Sequence, residues 1–535
     1  MLSARDVTVD RGGRRILDAV SLTIGARQRV GIVGPNGIGK TTLLRVLAGL
    51  DEPGSGRIER APAALTVGYL PQESDAHLDE TLADYLARRT GVAGASAALD
   101  ARTEELAAGA DAVDAYTEAL ERFLALGGDE FHARAATVCA DVGLPADRLG
   151  VPVGALSGGQ AARAGLAAIL LARFDVFLLD EPTNDLDFAA LDRLEQFVTG
   201  SPAAMVIVSH DRAFLDVAVE RIIELEEHTH RAVAYDGNWS DYVAARELAR
   251  RHGYEEHEKY QSERRTLADR ARTQRGWSEE GVRRVKRSGE TDKFIRHAKI
   301  QSSEKQASKA KQTERALARL EARALDKPWE GWELDLSFEA GERSGDVVAR
   351  LDGVVVRRGP FTLGPLDLEI GWQDRLALVG PNGSGKTTLL RALLGTQAID
   401  EGHRWVGPGV RFATLDQARE VLGSDGPLLD AFCARTGLLA GDARSQLAKL
   451  GLDADAVARP PALLSPGERS RAILAALSVS RANCLVLDEP TNHLDLPAIE
   501  QLEAALDTYE GTIVLVTHDR RLLETVAITR TLELT

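Results

Sequence analysis

GPNGIGKTT at residues 34–42 and GPNGSGKTT at residues 380–388 are two copies of one phosphate-binding loop in a single chain. In the first, Gly34, Pro35, Asn36, Gly37, Ile38 and Gly39 lead into Lys40, Thr41 and Thr42; in the second, Gly380, Pro381, Asn382, Gly383, Ser384 and Gly385 lead into Lys386, Thr387 and Thr388. An apolar run precedes each loop (RVGIVG, LALVG) and a helix-like TTLLR follows it, which is the strand–loop–helix setting this motif requires. The glycines let backbone N–H groups wrap phosphates at a helix N-terminus, where the dipole favours anions. Lys40 and Lys386 supply charge to the outer phosphates, and Thr41 and Thr387 each offer a hydroxyl to Mg²⁺.

The repeat extends downstream of the loops. LSGGQ (156–160) matches LSPGE (464–468), VFLLDE (176–181) matches CLVLDE (484–489), and VSHDR (208–212) matches VTHDR (516–520). The spacing repeats too: Ser157 to Asp180 and Ser465 to Asp488 are both 23 positions, and Asp180 to His210 and Asp488 to His518 are both 30. Each acidic strand ends in two carboxylates. Asp180 and Asp488 suit Mg²⁺; Glu181 and Glu489, one residue on, are placed to polarise water. Ser157 with Gln160, and Ser465 with Glu468, read as capping boxes at helix starts. With Gly158, Gly159 and Gly467 they leave N–H groups open to a γ-phosphate.

The rest of the chain narrows the class. At 535 residues there is material for three or four domains. Hydrophobic residues at 44% and charged residues at 27% are those of a globular protein, and the net charge of −16 argues against a generally basic nucleic-acid binder. No apolar run approaches 18 residues and the first fifteen lack a signal-peptide core, so a cytoplasmic protein is expected. Cys139, Cys433 and Cys484 are far apart and form no metal-ligand pattern, as reduced thiols would be placed.

We divide the chain into an α/β domain at 1–242, a helical linker at 243–326 and a second α/β domain at 327–535. Gln72 to Ser157 spans 85 positions and Gln417 to Ser465 only 48; the extra length, about 90–145, is rich in Ala, Leu and Glu and reads as short amphipathic helices. The linker has no proline, and three of its four glycines cluster at Gly276, Gly281 and Gly289. Two helices of roughly 50 Å meeting at that cluster are expected. The linker carries 22 Lys+Arg against 14 Asp+Glu, a balance of +8 on a body of −24. Arg283, Arg284, Lys286 and Arg287 crowd its presumed tip, with Trp277, Phe294 and His297 nearby for stacking. On a hairpin carried between nucleotide sites this basic, partly aromatic tip favours RNA over a merely solvated face.

Phosphate loop, Gln loop, LSGGQ signature, acidic strand and following histidine together resemble the ATP-binding cassette. The resemblance implies a P-loop NTPase core with an antiparallel β region and a helical subdomain, and ATP hydrolysis with ATP and Mg²⁺ as cofactors. It also implies head-to-tail pairing of the two cassettes within one monomer. Lys40, Thr41, Gln72, Asp180, Glu181 and His210 would then face Ser465 and Gly467, and Lys386, Thr387, Gln417, Asp488, Glu489 and His518 would face Ser157 and Gly159. Gln72 and Gln417 would join the metal ligands, Glu181 and Glu489 would be general bases, and His210 and His518 would sense the γ-phosphate. Tandem cassettes without a membrane domain, EPTNxLD, and YDGNWSDY (235–242) before a basic linker resemble the ABC-F proteins in particular. Members bind the ribosome near the tRNA exit site with the linker towards P-site tRNA; some modulate translation and others protect it from antibiotics. The Ala/Arg-rich wording is similar to that of actinobacterial members. The competing readings are the ATP-binding subunit of a drug exporter and a DNA-associated cassette protein.

Three departures stand out. Pro466 replaces a signature glycine, which keeps the helix start but removes one N–H donor beside Lys40, so unequal ATP sites are expected. Arg11 and Arg358 occupy the stretch where an aromatic residue often stacks on adenine, and are expected to lie on the base instead. Asp185 stands where the second copy has His493, a difference without an explanation in the sequence.

Overall fold

A computed structural model describes residues 1–71, 79–108, 113–287, 308–309, 311–323, 336–359, 361–492 and 494–534. It contains two compact units, Met1–Ser240 with Trp332–Thr535, and Asp241–Gly331.

The first unit holds both cassettes, each built on two sheets. In the first cassette a six-stranded sheet runs Val67–Leu70, Val176–Asp180, Ala204–Val208, Arg29–Val33, Arg221–Leu225, Ala232–Asp236; all neighbours are parallel except the last pair. Its second sheet is antiparallel, with Leu2–Arg11 between Arg14–Ile24 and Ser55–Arg60. The second cassette repeats the plan with a five-stranded parallel sheet, Phe412–Thr414, Cys484–Asp488, Thr512–Val516, Arg375–Val379, Arg530–Glu533. Val347–Arg358 lies between Phe361–Gly371 and Glu401–Val406 in its antiparallel sheet. Parallel strands covered on both faces read as near-continuous apolar runs. Val176–Asp180, Ala204–Val208 and Thr512–Val516 are buried at every position.

One core joins the two sheets in each cassette. In the first, Leu43, Leu44 and Leu47 on the helix Lys40–Ala48 pack with Leu17, Ile24, Ile32 and Leu178, all fully buried. At about 1.5–3 kcal/mol per buried side chain, this packing anchors the phosphate loop between rigid elements. Open α/β sheets bind ligands at the carboxyl ends of their strands. Both phosphate loops, both acidic pairs and both histidines lie there. The helical region of the first cassette includes Val92–Ala107 and Val113–Ala125, which lie against each other; Val113–Ala125 fully buries no residue.

In the second unit, the helix Trp239–Arg287 runs unbroken for 49 residues, about 74 Å at 1.5 Å per residue. It passes through Gly276 and Gly281, where the sequence suggested a turn. An interior glycine disfavours helix by only about 1 kcal/mol, which two neighbouring helical turns outweigh. The helix over 311–321 runs antiparallel to it: Arg264 meets Glu321 at 3.1 Å, Arg275 meets Glu314 at 2.9 Å, and Thr313 donates to Gln274 at 2.8 Å. These pairs make the linker a helical hairpin. Gly289, Phe294 and His297 lie outside the described residues, and for Arg283, Arg284, Lys286 and Arg287 only the helical backbone is described.

Candidate active sites

Each phosphate loop turns through glycines that no other residue replaces cheaply. At Gly34 (φ +149°) and Gly380 (φ +151°) a Cβ would meet the carbonyl oxygens of Leu225 and Leu534 at 2.8 and 2.2 Å. The loops end at Lys40 and Lys386, both buried. Neither ammonium has a carboxylate in hydrogen-bond range among the described residues. Lys40 Nζ donates to the carbonyls of Gly34 (2.7 Å) and Pro35 (3.1 Å), Lys386 Nζ to those of Gly380 (2.6 Å) and Pro381 (3.1 Å). Burial lowers both lysine pKa values against the pull of nearby acids. A buried cation held only by its own loop is suited to an anion entering that loop.

The carboxylates close the other side of each site. Thr387 Oγ1 donates to Asp488 Oδ2 at 2.8 Å, and Thr41 bonds Asp180, which also accepts from the Tyr69 hydroxyl at 3.1 Å. Glu181 and Glu489 have φ of +50° and +46°, a strained turn for non-glycine residues costing of order 1–3 kcal/mol. Their N–H groups donate to Val208 (2.8 Å) and Val516 (2.9 Å) on the neighbouring strand, which holds the turn in place. The turn aims each carboxylate at the histidine loop: the N–H groups of His210 and His518 donate to Glu181 Oε2 (3.2 Å) and Glu489 Oε2 (3.4 Å). Glu181 Oε1 lies 3.2 Å from His210 Nε2 but accepts no well-aligned hydrogen bond among the described residues. Burial raises the pKa of both acids, Glu489 to about 8, and keeps both histidines neutral, His518 down to about 4. Poised acids, Glu181 buried and Glu489 half-buried, beside a threonine–aspartate oxygen pair and a lysine with no carboxylate partner fit a Mg²⁺-nucleotide.

The two cassettes complete each other's sites. A Cβ on Gly159 would come within 2.8 Å of Asn382 Cβ, and one on Gly467 within 3.2 Å of Asn36 Cβ, so each signature lies on the opposite phosphate loop. Both capping boxes are formed: Ser157 accepts from Gln160 N (3.3 Å) and Gln160 from Ser157 N (3.0 Å), while Ser465 accepts from Glu468 N (3.3 Å) and Glu468 from Ser465 N (2.7 Å). Pro466 opens its helix without breaking the box. A cavity of about 860 Å³ lies between the cassettes, lined by Lys40, Thr41, Asp180, Glu181 and His210 from one side and by Ser470, Ile473, Glu489 and Asn492 from the other.

Several contacts escaped the sequence reading. Asp187 and Asp495 cap the helices after the acidic strands (from Ala190 N, 3.0 Å; from Ala498 N, 3.2 Å) and also accept from the opposite loops, Asn382 N at 3.0 Å and Asn36 N at 3.5 Å. Arg163 donates to the Asn382 carbonyl at 3.1 Å. Asp185, at φ +60°, accepts from Asn382 Nδ2 through its carbonyl (2.7 Å) and from Asn492 through its side chain (3.3 Å). Arg11 is paired with Asp51 at 2.5 Å and Arg358 donates to Gln397 at 2.7 Å, so both already have partners. An aromatic ring does lie beside the second phosphate loop, that of Phe361, against which a Cβ at Gly385 would stand at 2.8 Å. Gln72 and His493 lie outside the described residues, and of Gln417 only the backbone, in Leu415–Arg419, is described.

Comparison with known proteins agrees with this geometry. The ABC transporter family profile matches residues 17–184 and 363–492. The chain is 34% identical to the tylosin resistance ATP-binding protein TlrC of Streptomyces fradiae, over 97% of this chain and 95% of that one. It is 33% identical to the energy-dependent translational throttle protein EttA of Mycobacterium tuberculosis, over 96% and 88%. It is 30% identical to ABC transporter F family member 5 of Arabidopsis thaliana, over 96% and 72%.

Proposed function

The chain belongs to the ABC-F group of ATP-binding cassette proteins and is an ATP hydrolase, and we propose that it works on the ribosome, modulating translation or protecting it from an antibiotic. The observation that carries this reading is a basic helical hairpin that follows the first cassette and precedes the second in the sequence, the phosphate loops and signatures of those cassettes already facing each other. ATP-driven pairing of the cassettes sets the hairpin, and hydrolysis releases it. The +8 balance of the linker on an acidic body favours a polyanionic partner there. Relatives whose names refer to translation and to tylosin resistance point the same way.

In this reading Thr41 with Asp180, and Thr387 with Asp488, hold Mg²⁺, joined by Gln72 and Gln417. Glu181 and Glu489 take a proton from the attacking water, and His210 and His518 hold the γ-phosphate side. Ser157 and Gly159 act on the nucleotide at Lys386; Ser465 and Gly467 act on the one at Lys40. The protein works in the cytoplasm as a monomer, with its hairpin near the tRNA exit site and P-site tRNA. No helix among the described residues is long and apolar enough to cross a membrane.

ATPase rates with and without 70S ribosomes test this reading. Ribosomes should stimulate turnover, and neutralising Arg283, Arg284, Lys286 and Arg287 together should reduce the stimulation. A rate indifferent to ribosomes but raised by a co-purifying membrane protein would move the chain to the exporter reading.

A further inference from the structure

Away from the nucleotide, the cassettes are also joined by two ion pairs that the internal repeat makes equivalent. Arg212 and Arg520 each stand two residues after a site histidine, at the head of the helices Arg212–Ala218 and Arg520–Thr525. Glu503 and Glu195 each stand eight residues after a capping aspartate, Asp495 or Asp187, on the helices Leu496–Asp507 and Phe188–Gly200. Arg212 reaches across to Glu503, and Arg520 reaches across to Glu195 at 3.0 Å.

Their surroundings differ. Arg212 grips Glu503 through both guanidinium nitrogens, one at 3.0 Å, and the two side chains are 2% and 8% exposed. Arg520 is 36% exposed and divides itself between Glu195 and Asp192, the latter at 2.5 Å and more than half exposed, while lying over the Phe188 ring. An exposed pair adds little, exchanges its bonds with water one at a time and weakens with salt. A dry bidentate pair must break both bonds before water can enter, and cross-interface pairs of that kind couple strongly. Of the other contacts across the Lys386 site, Asn382 to the Asp185 carbonyl and Asn492 to its carboxylate are exposed hydrogen bonds, and the half-buried ones, Asn382 N to Asp187 and Arg163 to the Asn382 carbonyl, tie the phosphate loop alone and hold no ion pair as dry as Arg212 with Glu503.

We propose that Arg212 and Glu503 form the fixed pivot of the cassette interface, so that the cassettes part at the Lys386 site while staying joined beside the Lys40 site. Both ends of the pivot are tied to the Lys40 site. Arg212 follows His210, whose N–H holds Glu181, and Glu503 lies on the helix capped by Asp495, which meets Asn36. Arg212 and Glu503 are positioning residues, acting on ATP turnover through the way the cassettes meet. The inference rests on ATP binding by the cassettes and is independent of the partner they act on.

The test has two arms, both run with binding of a fluorescent ATP analogue measured on the same samples, so that lost nucleotide binding is told apart from a lost pivot. In the first, Glu503→Gln should raise the KM for ATP roughly 30-fold or more with a smaller effect on kcat, the scale for stranding one buried charge of a pair. Glu195→Gln should shift it less than about 5-fold. The apolar pair Arg212→Met/Glu503→Leu should restore KM, which a folding defect would not. In the second, nitroxides replace equivalent exposed residues across each site in a Cys433→Ser background: Glu52→Cys with Leu463→Cys, and Ala398→Cys with Ala155→Cys. Removing ATP should lengthen the second distance and leave the first unchanged. Equal lengthening of both distances, or a Glu503→Gln effect no larger than that of Glu195→Gln, overturns the pivot.

Discussion

Asp211→Asn should stabilise the protein at neutral pH and lose its advantage in acid. Asp211 follows His210, caps the helix Arg212–Ala218 by accepting from Phe214 N at 2.9 Å, and faces Asp519 and Arg520 of the other cassette. Burial first, then the Asp519 charge, raise its pKa from 3.8 to about 6, with the Phe214 and Ala213 N–H groups and Arg520 opposing. A folded-state pKa above the unfolded one means the protonated form is the one favoured by folding. Its contribution is complete below pH 3.8 and is lost as pH rises through about 6. The shift of 6 − 3.8 = 2.2 corresponds to an upper limit of about 3 kcal/mol at 1.36 kcal/mol per unit. Residual access to water brings the expected figure to about 1–3 kcal/mol. Asparagine keeps the cap oxygen and has no charge. At about 2–4 °C per kcal/mol for a cassette-sized domain, Asp211→Asn should raise the melting temperature by roughly 2–12 °C at pH 7.5. The gain should shrink through pH 6 and vanish near pH 4. Melting curves of wild type and variant from pH 4 to 8 in one buffer series are sufficient. A gain that does not vary with pH, or a loss at pH 7.5, would refute the reasoning.

Other expectations follow from the two sites. Gly159→Ala drives a Cβ to 2.8 Å from Asn382, which Asp187, Asp185 and Arg163 hold on three sides; Gly467→Ala meets Asn36 at 3.2 Å. Overpacking of about 1–3 kcal/mol should make the first clearly worse in ATP KM than the second, and steady-state kinetics check the order. Glu181→Gln and Glu489→Gln should each slow turnover about 100-fold or more, and unequally because Pro466 withholds an N–H at the Lys40 site; single-turnover rates measure both. If the four basic linker residues contact phosphates, neutralising them should lower the slope of log K against log salt for ribosome binding by about 3, read by co-sedimentation over a salt series.

Much of the site was legible in the sequence because it is local. A phosphate loop, a capping box and a strand-end carboxylate pair each lie within ten residues, so type and spacing alone fix their geometry. The pairing of Ser157 and Gly159 with Asn382 was accessible only through the family resemblance. Which residues do the joining was not accessible at all. Asp187 and Asp495 close the two EPTNxLD stretches without any role legible in the sequence, and only the folded chain brings them to Asn382 and Asn36, 195 and 459 positions away. Arg212 closes the VSHDR stretch, but Glu503, 291 positions on, lies in no motif, and nothing in the sequence pairs the two. The strain at Glu181 and Glu489 is likewise silent, since glutamate does not advertise a positive φ. Glycine at 276 and 281 was over-read as a breaker, because the pairing of the two linker helices is a tertiary effect that residue preferences omit.

We propose that ATP binding between the cassettes commits this protein to the ribosome. Co-sedimentation of the Glu181→Gln/Glu489→Gln double variant with 70S ribosomes, with and without ATP, tests it most directly. Retention with ATP and release without it is the predicted result. No retention, with ATP binding intact in the same preparation, would contradict it.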